Sequence, residues 1–200
     1  MPPCYRLGCH ARTIDRVRRL IEIAWYSALT NAGRFGIPTG RSLGDMADAI
    51  PITYVPLRNT LFLTLGAALL ESEALHAIEF DGVPADRVEA ALFIAANALD
   101  YSGYPDCRPE YFTSAAETFR LGSKLGAQYG VGISLRTPII HLSKAQIVRL
   151  GVELGAPLGL TWSCYEGGDA PCGHCDSCLL RAKGFAEAGV VDPALSGTGR

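Results

Sequence analysis

Four of the chain's seven cysteines stand within fifteen positions near the C-terminus, in the order Cys164-x7-Cys172-Gly-His-Cys175-Asp-Ser-Cys178. Overlapping C-x2-C turns let neighbouring thiolates aim at one centre. Gly173 eases the tight turn between them, and Cys164 returns across a short loop to complete a tetrahedron. The same spacing also suits an iron–sulfur cluster, and a single C-x-x-C pair suits a redox dithiol. Four thiolates with no ligand left over favour a structural zinc ion. Such a closed shell has no open position at which to activate water, so the metal is expected to hold structure rather than to catalyse. His174 is an alternative ligand close by.

A second group of reactive side chains is the run from Asn97 to Glu110, which contains Asp100, Tyr101, Ser102, Tyr104, Asp106, Cys107 and Arg108. Amide, carboxylate, hydroxyl, phenol, thiol and guanidinium groups crowd a stretch whose Gly and Pro content also fits an ordinary surface turn. Position favours function. The run follows the apolar segment Ala91 to Ala95, which reads as a strand covered on both faces, as in a parallel sheet. Loops leaving the carboxyl ends of parallel strands line the ligand crevice. Cys107 by itself is more simply a buried, inert thiol.

The remaining elements must position these two groups. Apolar residues from Ile14 to Ala28 recur at helical spacing, with Thr13 as N-cap and Gly33 past the end. Residues 34 to 49 read as a glycine-rich loop before a short strand at Ile52 to Val55. Leu57 to Leu70 reads as a helix apolar nearly all round, hence buried on several sides. Residues 79 to 89 read as a surface excursion, 110 to 129 as a helix, and 133 to 140 as a strand broken by Pro138. Ser143-x-x-Gln146 is a capping box opening another helix that stops at Gly155 and Pro157. Helices alternating with buried strands imply an α/β layered fold with a parallel sheet.

Composition bounds the function classes. At 200 residues and 48% apolar content the chain suits a single α/β domain, 1–200, with 160–193 as its metal-binding C-terminal segment. The 18 basic against 20 acidic residues leave a net charge of −2, which gives no broad nucleic-acid surface and points to small-molecule substrates. No apolar run is expected to reach membrane-spanning length, and no signal peptide is recognised, so a cytoplasmic protein with reduced cysteines is expected.

Three stretches together resemble the QueC family of 7-cyano-7-deazaguanine synthases. They are Tyr54-Val-Pro-Leu-Arg58-Asn59-Thr60, the run Asn97 to Glu110, and Leu160-Thr-Trp162-Ser163-Cys164-Tyr165 followed by the three remaining cysteines. The likeness runs from about Pro51 to Pro193, apart from residues 79 to 89, and ordered, spaced motifs are more specific than any one alone. It implies an adenine nucleotide alpha hydrolase-like fold, a homodimer, and a ligase that converts 7-carboxy-7-deazaguanine, ammonia and ATP into 7-cyano-7-deazaguanine for queuosine biosynthesis. It also implies Cys164, Cys172, Cys175 and Cys178 as zinc ligands.

Side-chain chemistry suggests the other roles. Arg58 and Asn59, at a helix start, are candidates for ATP phosphate. Asn97, Tyr101 and Ser102 are candidates for binding the base. Asp106 and Arg108 are candidates for orienting the reacting carboxylate or ammonia, and Asp100, a third catalytic candidate, for accepting from the amino and ring N–H groups of the base. Lys144 at a helix start reads more naturally as solvated than as a phosphate ligand.

The family's Ser-Gly-Gly-x-Asp-Ser loop, whose backbone N–H groups cradle the pyrophosphate of ATP, does not occur in these 200 residues. The expectation is an N-terminally incomplete member. The competing readings are a loop supplied by another chain, a non-catalytic zinc-stapled module that binds a purine-like ligand, or another ATP-pyrophosphatase-type enzyme that amidates or thiolates tRNA. The last would need a basic RNA-contacting surface, which the charge balance does not supply.

Overall fold

A computed structural model of the chain describes residues 36–42, 50–51, 53–98 and 104–195. The expected helix from Thr13 lies outside them. So do Asp100, Tyr101 and Ser102.

Thr53 to Val55 do not form the expected strand. Pro51 and Pro56 flank them, and the Tyr54 N–H closes a turn onto the Pro51 carbonyl at 2.9 Å. A proline has no N–H to offer a ladder, so this segment has little to pair with. Helix α1, Arg58–Glu79, follows directly. Its Leu, Ala and Glu content favours helix, and it continues nine residues past the expected end at Leu70 before Phe80 and Gly82 stop it. Leu57 enters it with φ +54°, a left-handed conformation unusual for a residue with a Cβ.

The all-round burial expected of α1 is corrected by the structure. Asn59, Leu63, Ala67 and Ala74 form one buried stripe, while Phe62 and Leu65 are exposed among the described residues. By length and composition α1 could cross a membrane, contrary to the expectation that no run reaches that length. Its packing supports a different role. Leu63 joins an apolar cluster with Ala96, Cys107, Phe112 and Ile140, and Ala67 and Ala74 join a second with Ala90, Leu125 and Ile133.

The excursion at residues 80 to 89 is mostly exposed and holds one short 3-10 turn, Ala85–Arg87. Strand β1, Ala90–Phe93, then pairs in parallel with β2, Ile133–Arg136, in the register Ala90↔Ile133 to Phe93↔Arg136. Backbone bonds from Ile94 to Arg136 and from Ala98 to Ile140, both at 3.0 Å, prolong the pairing past the strand ends. Only part of β1 is covered, since Phe93 is exposed. The parallel crossover between the strands contains α2, Pro109–Gly122, and α3, Lys124–Tyr129. The single helix expected there breaks at Ser123, whose hydroxyl accepts the Gly126 N–H at 2.9 Å and caps α3. The break is tight: a Cβ on Gly126 would meet the Arg120 carbonyl oxygen at 2.0 Å.

Strand β2 ends before Pro138, as the sequence implies. Helix α4, Lys144–Glu153, opens with the full capping box between Ser143 and Gln146. A last helix, α5, Asp176–Ala188, grows out of the cysteine run and ends on Gly189 at φ +72°. Helices α4 and α5 pack closely on each other. The result is the α/β arrangement with a parallel sheet, and the cysteine segment is packed at its C-terminal end.

Candidate functional site

The four cysteine sulfurs lie within 4.8 Å of one another. Cys175 caps the N-terminus of α5, Cys178 sits in its first turn, and Cys172 and Cys164 close in from the preceding loop. A metal–sulfur bond of about 2.3 Å places the corners of a tetrahedron about 3.8 Å apart. The Cys172 and Cys178 sulfurs are 4.0 Å apart, close to that edge and twice a disulfide bond. Backbone N–H groups already point at sulfur, from Cys172 to Cys164 at 3.4 Å and from Cys175 to Cys172 at 3.3 Å. Such donors stabilise thiolates.

The Cys172 N–H holds the Cys164 thiol down to about 7 against the cost of burial. Burial pushes Cys178 up to about 12 in the metal-free group, so filling the site would displace its proton. This donor set could hold one tetrahedral ion. His174 is not part of it, because its Nδ1 lies 2.6 Å from the Cys172 carbonyl oxygen and its ring is exposed.

The cysteine site is stapled to a remote segment. Thr39 forms a backbone bridge with Cys175, and the Gly40 N–H donates to the His174 carbonyl at 3.1 Å. Arg41 forms a two-point ion pair with Asp176, the first residue of α5. Ile37 packs on the buried cysteines.

Beside this knot a cavity of about 700 Å³ opens beyond the carboxyl end of β1. Residues 94 to 97 form its floor, the first turn of α1 one wall, and α4 with α5 the other. This is where a parallel α/β sheet binds ligands. Arg58 lines it, with its guanidinium 6.0 Å above the Tyr104 ring. Asn97 lines it too, and its side-chain amide donates to the carbonyls of Ile139 at 3.2 Å and Leu142 at 2.5 Å.

Asn59 also reaches the cavity, but its N–H donors are engaged. Its N–H donates to the Asp106 carboxylate at 3.1 Å, and its side chain donates to the Asp106 carbonyl at 2.9 Å and to the Cys107 sulfur at 3.3 Å. The expected roles of Asp106 and Arg108 thus meet a different placement. Asp106 is buried under the start of α1, Arg108 is exposed at the start of α2, and neither lines the cavity. They form no ion pair with each other. Burial, reinforced by the nearby Asp106 charge, pushes the Cys107 thiol up, which fits the inert role.

One residue is placed differently from its sequence reading, and two more, Arg181 and Asp192, carry no sequence signal that singles them out. Lys144, expected to be solvated, lines the cavity and donates from Nζ to the Asn97 Oδ1 at 2.7 Å. Arg181 of α5 is nearly buried and pairs with Asp192 through two bonds, at 2.5 and 2.8 Å, while also donating to Thr161 Oγ1 at 2.9 Å. The pair is eleven residues apart across the Gly189 turn, a spacing no local rule connects. Burial alone would raise the Asp192 carboxyl, but hydrogen bonds from Arg181 and the Ala194 N–H overcome it and hold the group below the ordinary carboxylate range.

Residues 7–189 match the family model described as "Queuosine biosynthesis protein QueC". Over 169 residues the chain is 49% identical to the 7-cyano-7-deazaguanine synthase of Nostoc punctiforme, covering 84% of this chain and 68% of that protein. Over 153 residues it is 48% identical to the protein of the same name from Thermoplasma acidophilum, covering 76% of this chain and 58% of the relative. The Thermosynechococcus vestitus protein is 47% identical over 167 residues, 84% of this chain and 65% of its own length. The chain spans roughly two thirds of the length of the curated relatives it matches.

Proposed function

The chain belongs to the QueC family, and from that premise we propose that it acts in the conversion of 7-carboxy-7-deazaguanine and ammonia to 7-cyano-7-deazaguanine at the expense of ATP. The observation that carries this reading is the cavity beyond the carboxyl end of β1, lined by Arg58, Asn97 and Lys144 and large enough for a bicyclic base with room beside it. The chemistry has a clear requirement. A carboxylate is a poor electrophile, so one of its oxygens must first attack a phosphorus of ATP, breaking a phosphoanhydride bond and releasing the rest of the phosphate chain. Ammonia then displaces that oxygen to leave an amide. A second activation of the amide oxygen lets it depart as phosphate ester, with loss of the nitrogen-bound protons, to leave the nitrile.

In this reading Arg58 neutralises phosphate oxygens and Asn97 fixes the floor on which the base rests. Asp100, Tyr101 and Ser102, from the same run of sequence, supply hydrogen bonds to the base. Asp106 acts by holding the start of α1 rather than by touching substrate. The four cysteines hold a structural zinc ion, which supplies folding stability and no reacting group. We read the protein as a cytoplasmic homodimer acting on small molecules, without nucleic-acid or membrane partners.

The test is nitrile formation by the purified chain with ATP, ammonia and the carboxylated base, followed by mass spectrometry. Conversion of the base supports the proposal. Binding of the base without any ATP-dependent conversion would instead favour a zinc-stapled binding module.

A further inference from the structure

Thr161 and Ser163 stand just before Cys164, and their hydroxyls take no part in the four-sulfur group. With Leu158 they line the cavity beside Arg181 and Phe185 of α5. Arg181 has the charge of an anion ligand, yet its guanidinium is spent inside this wall. Nε and Nη2 bind the Asp192 carboxylate, Nη2 also reaches the Leu158 carbonyl at 3.4 Å, and Nη1 donates to Thr161 Oγ1 at 2.9 Å and to Ser163 Oγ at 3.4 Å. These bonds match the N–H groups that a guanidinium has to offer. The guanidinium also lies over the Phe185 ring, 4.9 Å from its centroid. The two hydroxyls that Nη1 holds are not equivalent. Thr161 Oγ1 donates to the Leu158 carbonyl at 2.6 Å, so its hydrogen is used within the wall. Ser163 accepts from Arg181, and among the described residues its own hydrogen meets no acceptor. The backbone around Ser163 is fixed, because the Trp162 indole N–H donates across it to the Cys164 carbonyl at 2.8 Å.

We infer that Ser163 is a ligand-contacting residue whose hydroxyl donates to an oxygen acceptor of the molecule in the cavity, with Arg181 as its positioning residue. The N–H from the guanidinium occupies a lone pair of the serine oxygen, turns the hydroxyl hydrogen away from α5 and strengthens it as a donor. Arg181 thus acts on the ligand through a hydroxyl. The acceptor is an oxygen of the deazaguanine or of the phosphate chain. Which of these it is rests on the function proposed above; the hydroxyl contact itself does not.

Isothermal calorimetry on the purified chain tests this with three probes: inorganic pyrophosphate, 7-carboxy-7-deazaguanine and 7-cyano-7-deazaguanine. Ser163→Ala is expected to weaken at least one of them about fivefold or more, with bound metal and melting temperature as in the wild type. Ser163→Thr, which keeps the hydroxyl, should restore most of the affinity. Equal loss for both deazaguanines names the ring carbonyl as acceptor, loss confined to the carboxylated base names its carboxylate, and loss confined to pyrophosphate names the phosphate chain. Arg181→Lys tests the positioning role. It should weaken the same probe in the wild-type background and add little in the Ser163→Ala background, whereas a merely structural role gives the same loss in both and removes Arg181 from the proposal. Unchanged affinity of Ser163→Ala for all three probes overturns the inference, as does a wild-type chain that binds none of them. If Ser163→Ala melts early or loses metal, Ser163→Gly removes the same hydroxyl and gives the same readout. The functional reading fails separately, when neither deazaguanine binds while pyrophosphate still distinguishes wild type from Ser163→Ala.

Discussion

The Asp106 carboxylate sits under the first turn of α1 and accepts the backbone N–H of Asn59 at 3.1 Å, while the Asn59 side chain returns a bond to the Asp106 carbonyl at 2.9 Å. Both residues are buried. This reciprocal pair ties the start of α1 to the short 3-10 turn Pro105–Cys107 that precedes α2. A negative group at a helix N-terminus satisfies a free donor and complements the helix dipole. The pair therefore fixes where Arg58 stands relative to the cavity.

Replacing Asp106 should disturb stability before chemistry. Asp106→Ala is expected to lower the unfolding free energy by about 2 kcal/mol, since a buried helix N–H loses its acceptor. Asp106→Asn, which still offers an oxygen, should cost less and keep most of the turnover. Denaturant melts and nitrile assays on both variants check this. Loss of turnover in a fully stable Asp106→Asn protein would return the residue to the reacting groups.

The Arg181–Asp192 pair gives a pH-dependent prediction. Its folded carboxyl lies below the ordinary range, so the pair's stabilisation is present above the unfolded carboxylate pKa of about 3.9 and is lost as pH falls through the folded value. Asp192→Asn should flatten that acidic part of the stability curve. Arg181→Met, which strands a buried charge, should cost about 3 to 5 kcal/mol at neutral pH. Urea melts across an acid-to-neutral series measure both.

Metal content follows from the four-sulfur geometry. Purified protein is expected to carry one zinc ion per chain, and Cys175→Ser to lose most of it, because that sulfur is fully buried among the others. Elemental analysis decides the matter, and iron in place of zinc would refute the assignment. A strong chelator should lower the melting temperature of the wild type and leave the serine variant nearly unchanged.

Leu57 offers a stabilising change. Its φ of +54° costs about 1 to 2 kcal/mol for a residue with a Cβ, and its side chain is 62% exposed, so little packing is lost on removal. Leu57→Gly is expected to leave stability unchanged or raise it by up to about 1 kcal/mol, the gain being limited by the freer unfolded chain. A lower melting temperature would show that the leucine packs on something that outweighs the strain.

Local chemistry made much of this readable in advance. Ser143 and Gln146 announced their helix because a capping box is satisfied within four residues, and Pro138 ended its strand for the same local reason. The cysteines were legible because metal geometry restricts ligand spacing. The strand expected at Ile52 to Val55 is absent from Thr53 to Val55 because a short run of residues says nothing about whether a partner strand is available. Helix α5 lacks a local start signal, because its N-cap position is held by Cys175, whose side chain makes no capping bond. Lys144 was misjudged because its surroundings come from Asn97 and Gly184, 47 and 40 positions away, and such contacts exist only in the fold.

Thr39 and Cys175 are separated by 136 positions, yet their backbones meet, and Arg41 grips Asp176 next to them. Ion capture by the cysteines and docking of residues 37 to 41 therefore stabilise the same surface, and thermodynamic linkage makes the effect reciprocal. A segment that docks more tightly raises the affinity for the ion, and a segment pulled away by mutation or cleavage lowers it by the same factor. The affinity of the cysteines for an ion thus becomes a gauge of attachment between two parts of the chain that sequence alone sets far apart.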